Sequence, residues 1–301
     1  MNTPDWLESR YAPFRFKAVV DWVEISVTLP GPSQPQHVRS RMPASWGEPY
    51  VHADTEAQSR TASTFTFRLQ DPAGPDQLMR EVQAMTRPGD PPIMEADIAV
   101  LGVEVAFDAF SLADCRADLV EIAAQCYQRH TMLPGGGREP RITMPGHFQA
   151  AVGARSIRAA LDEGWTINAG VQGAQFTMRF YIKTTDTVDR QRQALPVTAH
   201  RARCEVTLSG ARSPFKTIGE WQAFRFESLT KHFSWRVDPA PTMLRSALTQ
   251  IGVAEGARRM NRRKTLRGTV PDHALQAHAK NALRRLTRSQ SRSAAEIRPA
   301  I

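Results

Sequence analysis

Residues 165–210 read WTINAGVQGAQFTMRFYIKTTDTVDRQRQALPVTAHRARCEVTLSG. Three runs within this stretch have strand character. Residues 165–169 are short and half apolar. Residues 175–183, QFTMRFYIK, put Phe176, Met178, Phe180 and Ile182 on one face. Residues 202–208 alternate Cys204, Val206 and Leu208 with Arg203, Glu205 and Thr207. Period-two alternation rich in β-branched and aromatic residues reads as strands with one buried and one exposed face. The polar face carries Thr177, Arg179, Tyr181 and Lys183 on one strand and Arg203 and Glu205 on the other. If the two strands pair, a phenol, several cations and a carboxylate share one surface.

Upstream, residues 14–29 contain a strand built around Trp22, and the proline-rich residues 30–49 break it as a surface loop. Residues 61–69 alternate as a strand, and residues 71–85 read as a short helix closed before Arg87-Pro88-Gly89. Residues 92–110 form one long or two broken strands. Residues 111–130 are the clearest helix. Ser111 stands at its N-cap, and Leu112, Cys115, Leu119, Ile122, Ala123 and Cys126 form an apolar stripe. The glycine run at 135–137 lacks the GxxxxGK[ST] pattern of a P-loop and reads as a connector. Residues 148–161 predict a second helix ended by Gly164, and 217–230 and 242–253 predict two more. This order predicts an α+β domain over residues 14–255, with a largely antiparallel sheet flanked by helices. A loose N-terminus, 1–13, precedes it, and a basic tail, 256–301, helical or disordered, follows.

Charge is distributed unevenly. Of 39 Lys+Arg and 30 Asp+Glu, 12 and 2 lie from Arg258 onward, leaving 27 and 28 in the rest. The body is therefore close to neutral at −1 and the tail carries +10. A basic arm suits a phosphate backbone; the alternative is a solubilising tail. Within it, residues 273–288 have the pattern of a basic amphipathic helix with Leu275, Ala279, Leu283 and Leu286 on one side. Such a helix is expected to order on a partner. No apolar run reaches membrane-spanning length, the N-terminus lacks a secretory pattern, and the three cysteines, Cys115, Cys126 and Cys204, form no CxxC. These features predict a reducing, cytoplasmic setting and no membrane partner.

Three constellations are candidates for chemistry. Glu104 and Asp108, in VEVAFD, lie four residues apart on a strand and project to one face. Paired carboxylates need a cation nearby, as in a Mg²⁺ or Mn²⁺ site; a solvent-facing pair is the alternative. Tyr181 lies between Arg179 and Lys183. Those cations would lower the phenol's pKa and hold a phosphate, and an activated tyrosine attacks phosphorus; the alternative is a half-exposed strand tyrosine. Arg203 is a candidate phosphate clamp and Glu205 a candidate third metal ligand, against a plain salt-bridge ladder. No closely spaced histidine pair, GxSxG elbow or HExxH helix is present.

Taken in order, VDWVEISV, VEVAFD, GWTINAGVQGAQF, FYIKTTD and RCEVTLSG resemble the motifs of the replication initiation factor family. These are the Rep proteins of rolling-circle plasmids, filamentous phages and conjugative transposons. The similarity covers residues 18–230. Two positions depart from the family pattern: Glu104 stands where an aspartate is more frequent, and Ala-Gly replaces a Tyr-x-Gly-Ser segment. The resemblance implies an origin-specific DNA nicking and strand-transfer protein. By it, Tyr181 is the nucleophile, giving a 5′-phosphotyrosine and a 3′-OH primer. Glu104, Asp108 and Glu205 hold a divalent cation, Mg²⁺ or Mn²⁺, and Lys183 and Arg203 neutralise charge. It further implies origin DNA, single-stranded or hairpin, as partner, with a host helicase and a homodimer as additional partners. A non-catalytic DNA-binding accessory or regulatory protein on the same fold is the competing reading.

Overall fold

A computed structural model describes residues 11–43, 46, 50–53, 60–130, 141–143, 149–151, 157–169, 173–188, 191–233, 235–237 and 270–291. The first apolar run is one long strand, β1 (Phe14–Ser33), which continues past the expected end into the proline-rich stretch. A short helix, α1 (Pro35–Arg39), and a three-residue strand, β2 (Tyr50–His52), follow. The alternating run after residue 61 is β3 (Ala62–Gln70). Gly74, at φ +153°, turns the chain into α2 (Pro75–Gln83), whose Pro75 occupies the first helical turn, where no N–H is needed. The run at 92–110 resolves as a single strand, β4 (Ile98–Ser111).

The expected helix beyond it starts later than Ser111. Ser111 ends β4, and α3 spans Arg116–His130. Ser111 instead holds the turn that precedes the helix: the Cys115 N–H donates to its Oγ at 3.1 Å. Leu112 consequently falls in the turn and is 64 % exposed, outside the apolar stripe assigned to it. The helix predicted over 148–161 is also shorter. Residues Gln149–Ala151 form β6, paired with β5 (Arg141–Thr143), and helix α4 is confined to Ile157–Asp162. Sheet pairing overrides helix propensity there.

The three strands of the 165–210 stretch form as expected: β7 (Thr166–Ala169), β8 (Phe176–Lys183) and β11 (Arg201–Ser209). Between the last two, β9 (Thr185–Val188) and β10 (Gln191–Ala194) make a separate hairpin. Thr217 then caps α5 (Ile218–Ala223), accepting the Glu220 N–H at 3.1 Å, and a 3₁₀ segment spans Phe226–His232. Two short strands, β12 (Arg236–Val237) and β13 (Val270–Pro271), pair with each other.

Nine strands form one sheet in the order β2-β3-β1-β4-β11-β8-β7-β5-β6, and every described pairing in it is antiparallel. This is the α+β architecture expected, with helices against the sheet. One face is apolar: Val103, Val105 and Phe107 of β4, Met178, Phe180 and Ile182 of β8, and Cys204, Val206 and Leu208 of β11 belong to the main core. Leu119, Ile122 and Ala123 of α3 pack on that core. The C-terminal helix, α6 (His273–Gln290), packs there too, against β1 and the 3₁₀ segment.

Helix α6 differs from the expected free, partner-dependent helix. Leu275, Ala279, Leu283 and Leu286 are indeed one apolar side, but they are buried in the chain's own core. Its Asp272 cap accepts from Leu275 N at 2.9 Å and from the Tyr11 hydroxyl, joining the two ends of the described chain. The His278 ring stacks on Phe16 at 4.6 Å. Lys280, Arg284, Arg285 and Arg288 remain exposed on the outer side. The denser basic cluster at 258–267, the glycine run at 135–137 and the helix expected over 242–253 lie outside the described residues. Among the described residues no helix is long and apolar enough to cross a membrane.

Candidate active site

The face opposite the core is charged, and register explains how. Strand β11 lies between β4 and β8. Arg203 pairs with Asp108 on one side and Tyr181 on the other; Thr207 pairs with Glu104, and Glu205 with Arg179. Side chains directly opposite in antiparallel strands share a face, so Glu104, Asp108, Arg179, Tyr181, Arg203 and Glu205 converge. Lys183 lies at the rim and pairs with Asp186 at 3.1 Å.

One member of the cluster comes from β1. Its apolar phase runs through Phe16, Ala18 and Val20, then through Val23, Ile25 and Val27. The switch needs one extra residue, and the register shifts there: Val20 faces Val105 and Trp22 faces Glu104. Asp21 is that extra residue. A bulge of this kind re-aims a side chain, and Asp21 joins the charged face beside Glu104. The phase switch was readable in the sequence; Asp21 itself was not among the expected site residues.

The expected exposed face of β11 is not exposed. Glu104 is 2 % exposed, Glu205 1 % and Arg203 4 %. Burial at this level demands internal partners, because an unpaired buried charge is costly. Arg203 donates through Nε to Asp108 Oδ1 at 2.6 Å and through Nη2 to Oδ2 at 2.7 Å. Its Nη1 donates to Asp21. Arg201 Nε lies 3.3 Å from Asp108. Arg179 reaches Glu104 Oε1 through Nη2 at 2.6 Å and Glu205 Oε2 through Nε at 2.7 Å. Thr207 donates to Glu104, and the Tyr181 hydroxyl donates to Glu205 Oε1 at 2.6 Å.

These contacts set the proton affinities. Burial raises Tyr181, and Glu205 beside it raises it further, outweighing Arg203 and Arg179. The flanking cations were expected to lower the phenol; the carboxylate that accepts its proton reverses that sign. Burial and the neighbouring Glu104 push Glu205 up to about 7, tempered by Arg179. Burial likewise raises Glu104, opposed by Arg179 and the Thr207 hydrogen bond. Asp71 is a further acid the sequence reading missed. It follows β3 with a left-handed backbone (φ +45°), and its N–H is held by the Asp21 carbonyl at 2.8 Å. Burial and Asp21 raise its pKa.

The cluster floors an open cleft of about 1100 Å³ walled by residues of β1, β3, β7, β8 and the β9–β10 hairpin. Asp21, Glu104, Arg179, Tyr181, Lys183 and Glu205 line it, whereas Asp108 and Arg203 do not. Of the three expected metal ligands, the fold brings Glu104 and Glu205 together. Asp108 is gripped at both oxygens by Arg203, and Asp21 stands beside the other two instead. Asp21, Glu104 and Glu205 each offer an oxygen, all within 4.8 Å of one another. An all-oxygen set of this charge suits Mg²⁺ or Mn²⁺. Glu205 Oε2, buried and without a hydrogen bond, fits such a ligand role; its contact with Arg179 is a charge contact alone. Arg203, with Nε, Nη1 and Nη2 committed to aspartates, orients acids rather than offering a free edge to the cleft.

No family model matches the chain, and no curated protein matches it. Among solved structures it is similar to a rolling circle replication initiator protein from Geobacillus stearothermophilus, with 11 % identity over 66 % of this chain and 76 % of that chain and a TM-score of 0.32. A superposition that loose transfers no residue role.

Proposed function

We propose that the protein is a metal-dependent DNA-nicking and strand-transfer enzyme of the rolling-circle initiator type, with Tyr181 as nucleophile. The observation that carries the reading is the meeting of a tyrosine hydroxyl and three carboxylates, Asp21, Glu104 and Glu205, in one open cleft. The motif resemblance at Glu104, Tyr181, Lys183, Arg203 and Glu205 supports it independently.

Glu205 is the base. Its Oε1 already accepts the phenol's hydrogen bond at 2.6 Å, which leaves Oε2 for the cation. As the Tyr181 oxygen closes on phosphorus, its proton passes to Glu205. The P–O3′ bond breaks and the 3′ oxygen takes up a proton. The products are a 5′-phosphotyrosine and a free 3′-OH. Lys183, which lines the cleft and pairs with Asp186, would neutralise the phosphate. Asp21, Glu104 and Glu205 would hold the divalent cation, which when bound supplies Lewis-acid stabilisation of the phosphoryl oxygen. Arg203, anchored on Asp108, fixes the position of Asp21. The basic outer side of α6 lies beyond the core, away from the cleft, and would offer a separate contact for a phosphate backbone.

The test uses a random single-stranded DNA library with Mn²⁺, followed by denaturation and detection of DNA covalently attached to protein. The wild type is expected to form the adduct, and Tyr181→Phe to form none while binding DNA as before. Adduct formed equally by Tyr181→Phe would remove the tyrosine from the mechanism. DNA binding without any adduct would favour the non-catalytic reading, which the complete internal pairing of Arg203 also fits.

A further inference from the structure

Of the arginines that neutralise the acidic cluster, Arg203 and Arg179 are held very differently. Arg203 is locked: its side chain is buried, and its donors satisfy both oxygens of Asp108 and one of Asp21. Arg179 is not. Its side chain is 41 % exposed, it stands in the cleft, and its two contacts go to Glu104 and Glu205. Those are two of the three carboxylates suited to a divalent cation. The guanidinium therefore lies against the same oxygens that a cation would need. Its contact with Glu205 also lacks hydrogen-bond geometry, so Oε2 of that buried acid is only partly satisfied.

We propose that Arg179 is a displaceable counter-cation: it closes the acidic cluster in the metal-free protein, and an entering divalent cation releases it to a phosphate in the cleft. This rests on the metal-site reading above and adds an order of events to it. The physical ground is competition. Two carboxylates buried side by side require positive charge. Arg179 supplies one unit through a long, flexible and partly exposed side chain. A dication supplies two through direct ligation. With the ion in place, the guanidinium loses its electrostatic reason to stay and gains repulsion. Its nearest alternative partner is an anion in the same cleft, for which a planar donor fork is well suited. Arg203 cannot make the same move, because leaving would cost the buried Asp108 both of its hydrogen bonds. Cation and phosphate binding are then positively linked through one side chain, and the linkage must be reciprocal.

Mn²⁺ binding to the intact chain, measured by calorimetry, tests the competition. Arg179→Gln is expected to bind Mn²⁺ about tenfold more tightly than wild type, within the usual range of coupling between sites. Arg179→Lys, which keeps a cation, is expected to fall between them and serves if the glutamine variant does not fold. The linkage is read with a short single-stranded DNA oligonucleotide. Mn²⁺ should raise wild-type affinity about fivefold and leave Arg179→Gln nearly unchanged. If wild type binds Mn²⁺ and neither variant binds it more tightly, Arg179 is a fixed structural pair and the displacement idea fails while the metal site stands. If no form binds Mn²⁺, both fail together.

Discussion

On one side of β11, Cys204, Val206 and Leu208 are buried among α3 and the apolar faces of β4 and β8; on the other, Arg203 and Glu205 are buried just as deeply among charges. The two faces reach the same low exposure by opposite physics. The apolar face is held by non-directional packing, which degrades in proportion to the atoms removed. The charged face is held by a closed set of ion pairs, in which each partner is tolerable only because the others are present. The first gives stability, and the second concentrates titratable groups at one place. That difference is the reason to look for chemistry on the second face.

Breaking the charged face should cost most. Arg203→Met takes from the buried Asp108 both of its hydrogen bonds, leaving it only the charge contact with Arg201, and is expected to destabilise by about 3 kcal/mol in urea unfolding. Adding Asp108→Leu should recover a large part of that loss, because the double change removes the stranded charge. If the double variant is no better than the single one, the pair is not the unit described here. On the apolar side, Leu208→Ala is expected to cost about 3 kcal/mol by loss of buried methylenes and the cavity left behind. No second-site charge change should rescue it. Equal rescue on both faces would erase the contrast.

The smallest effect concerns a group that belongs fully to neither face. His232 lies half-buried with its ring 5.1 Å from Phe176, and burial, with Lys231 and Arg212 nearby, lowers its pKa to about 4. The folded state thus binds fewer protons than the unfolded chain between about pH 4 and the ordinary histidine value near 6.5. Its contribution is complete above pH 6.5 and declines as pH falls through that window, by about 1–2 kcal/mol after allowance for solvent screening. His232→Gln should flatten this part of a pH–stability curve measured by thermal melts. An unchanged slope would mean that the ring is already hydrated.

The elements that carry the site were legible where local pattern and tertiary placement agree. Strands β8 and β11 announced themselves by alternation, and the polar residues of each do share a surface. The pattern misled where polar was equated with exposed. Arg203 and Glu205 alternate like solvent-facing residues, yet on a central strand the charged side chains of β4 and β8 on either side cover them. Tyr181 illustrates the same point. Its sequence neighbours Arg179 and Lys183 suggested an acidified phenol, but its partner across the strand gap, Glu205, accepts its proton and raises its pKa. Asp108 and Asp21 exchange places for a related reason. Glu104 and Asp108 share a strand face by spacing, but the cross-strand neighbour of Asp108 is Arg203, while a bulge turns Asp21 toward Glu104. Helix α6 read correctly as amphipathic; that its apolar side would find β1 of its own chain depended on long-range packing.

What the amino-acid order determined by itself was periodicity: which runs are strands, which residues alternate to one side, and where the basic excess lies. These follow from the two-residue repeat of an extended backbone and need no neighbour. What the tertiary structure alone decided was partnership: which acid meets which arginine, that Asp21 joins Glu104 and Glu205, and that Arg179 rather than Arg203 stands in the cleft. Register across strands fixes those pairings, and register depends on bulges and on contacts between residues as distant as Asp21 and Arg203, which no local pattern encodes.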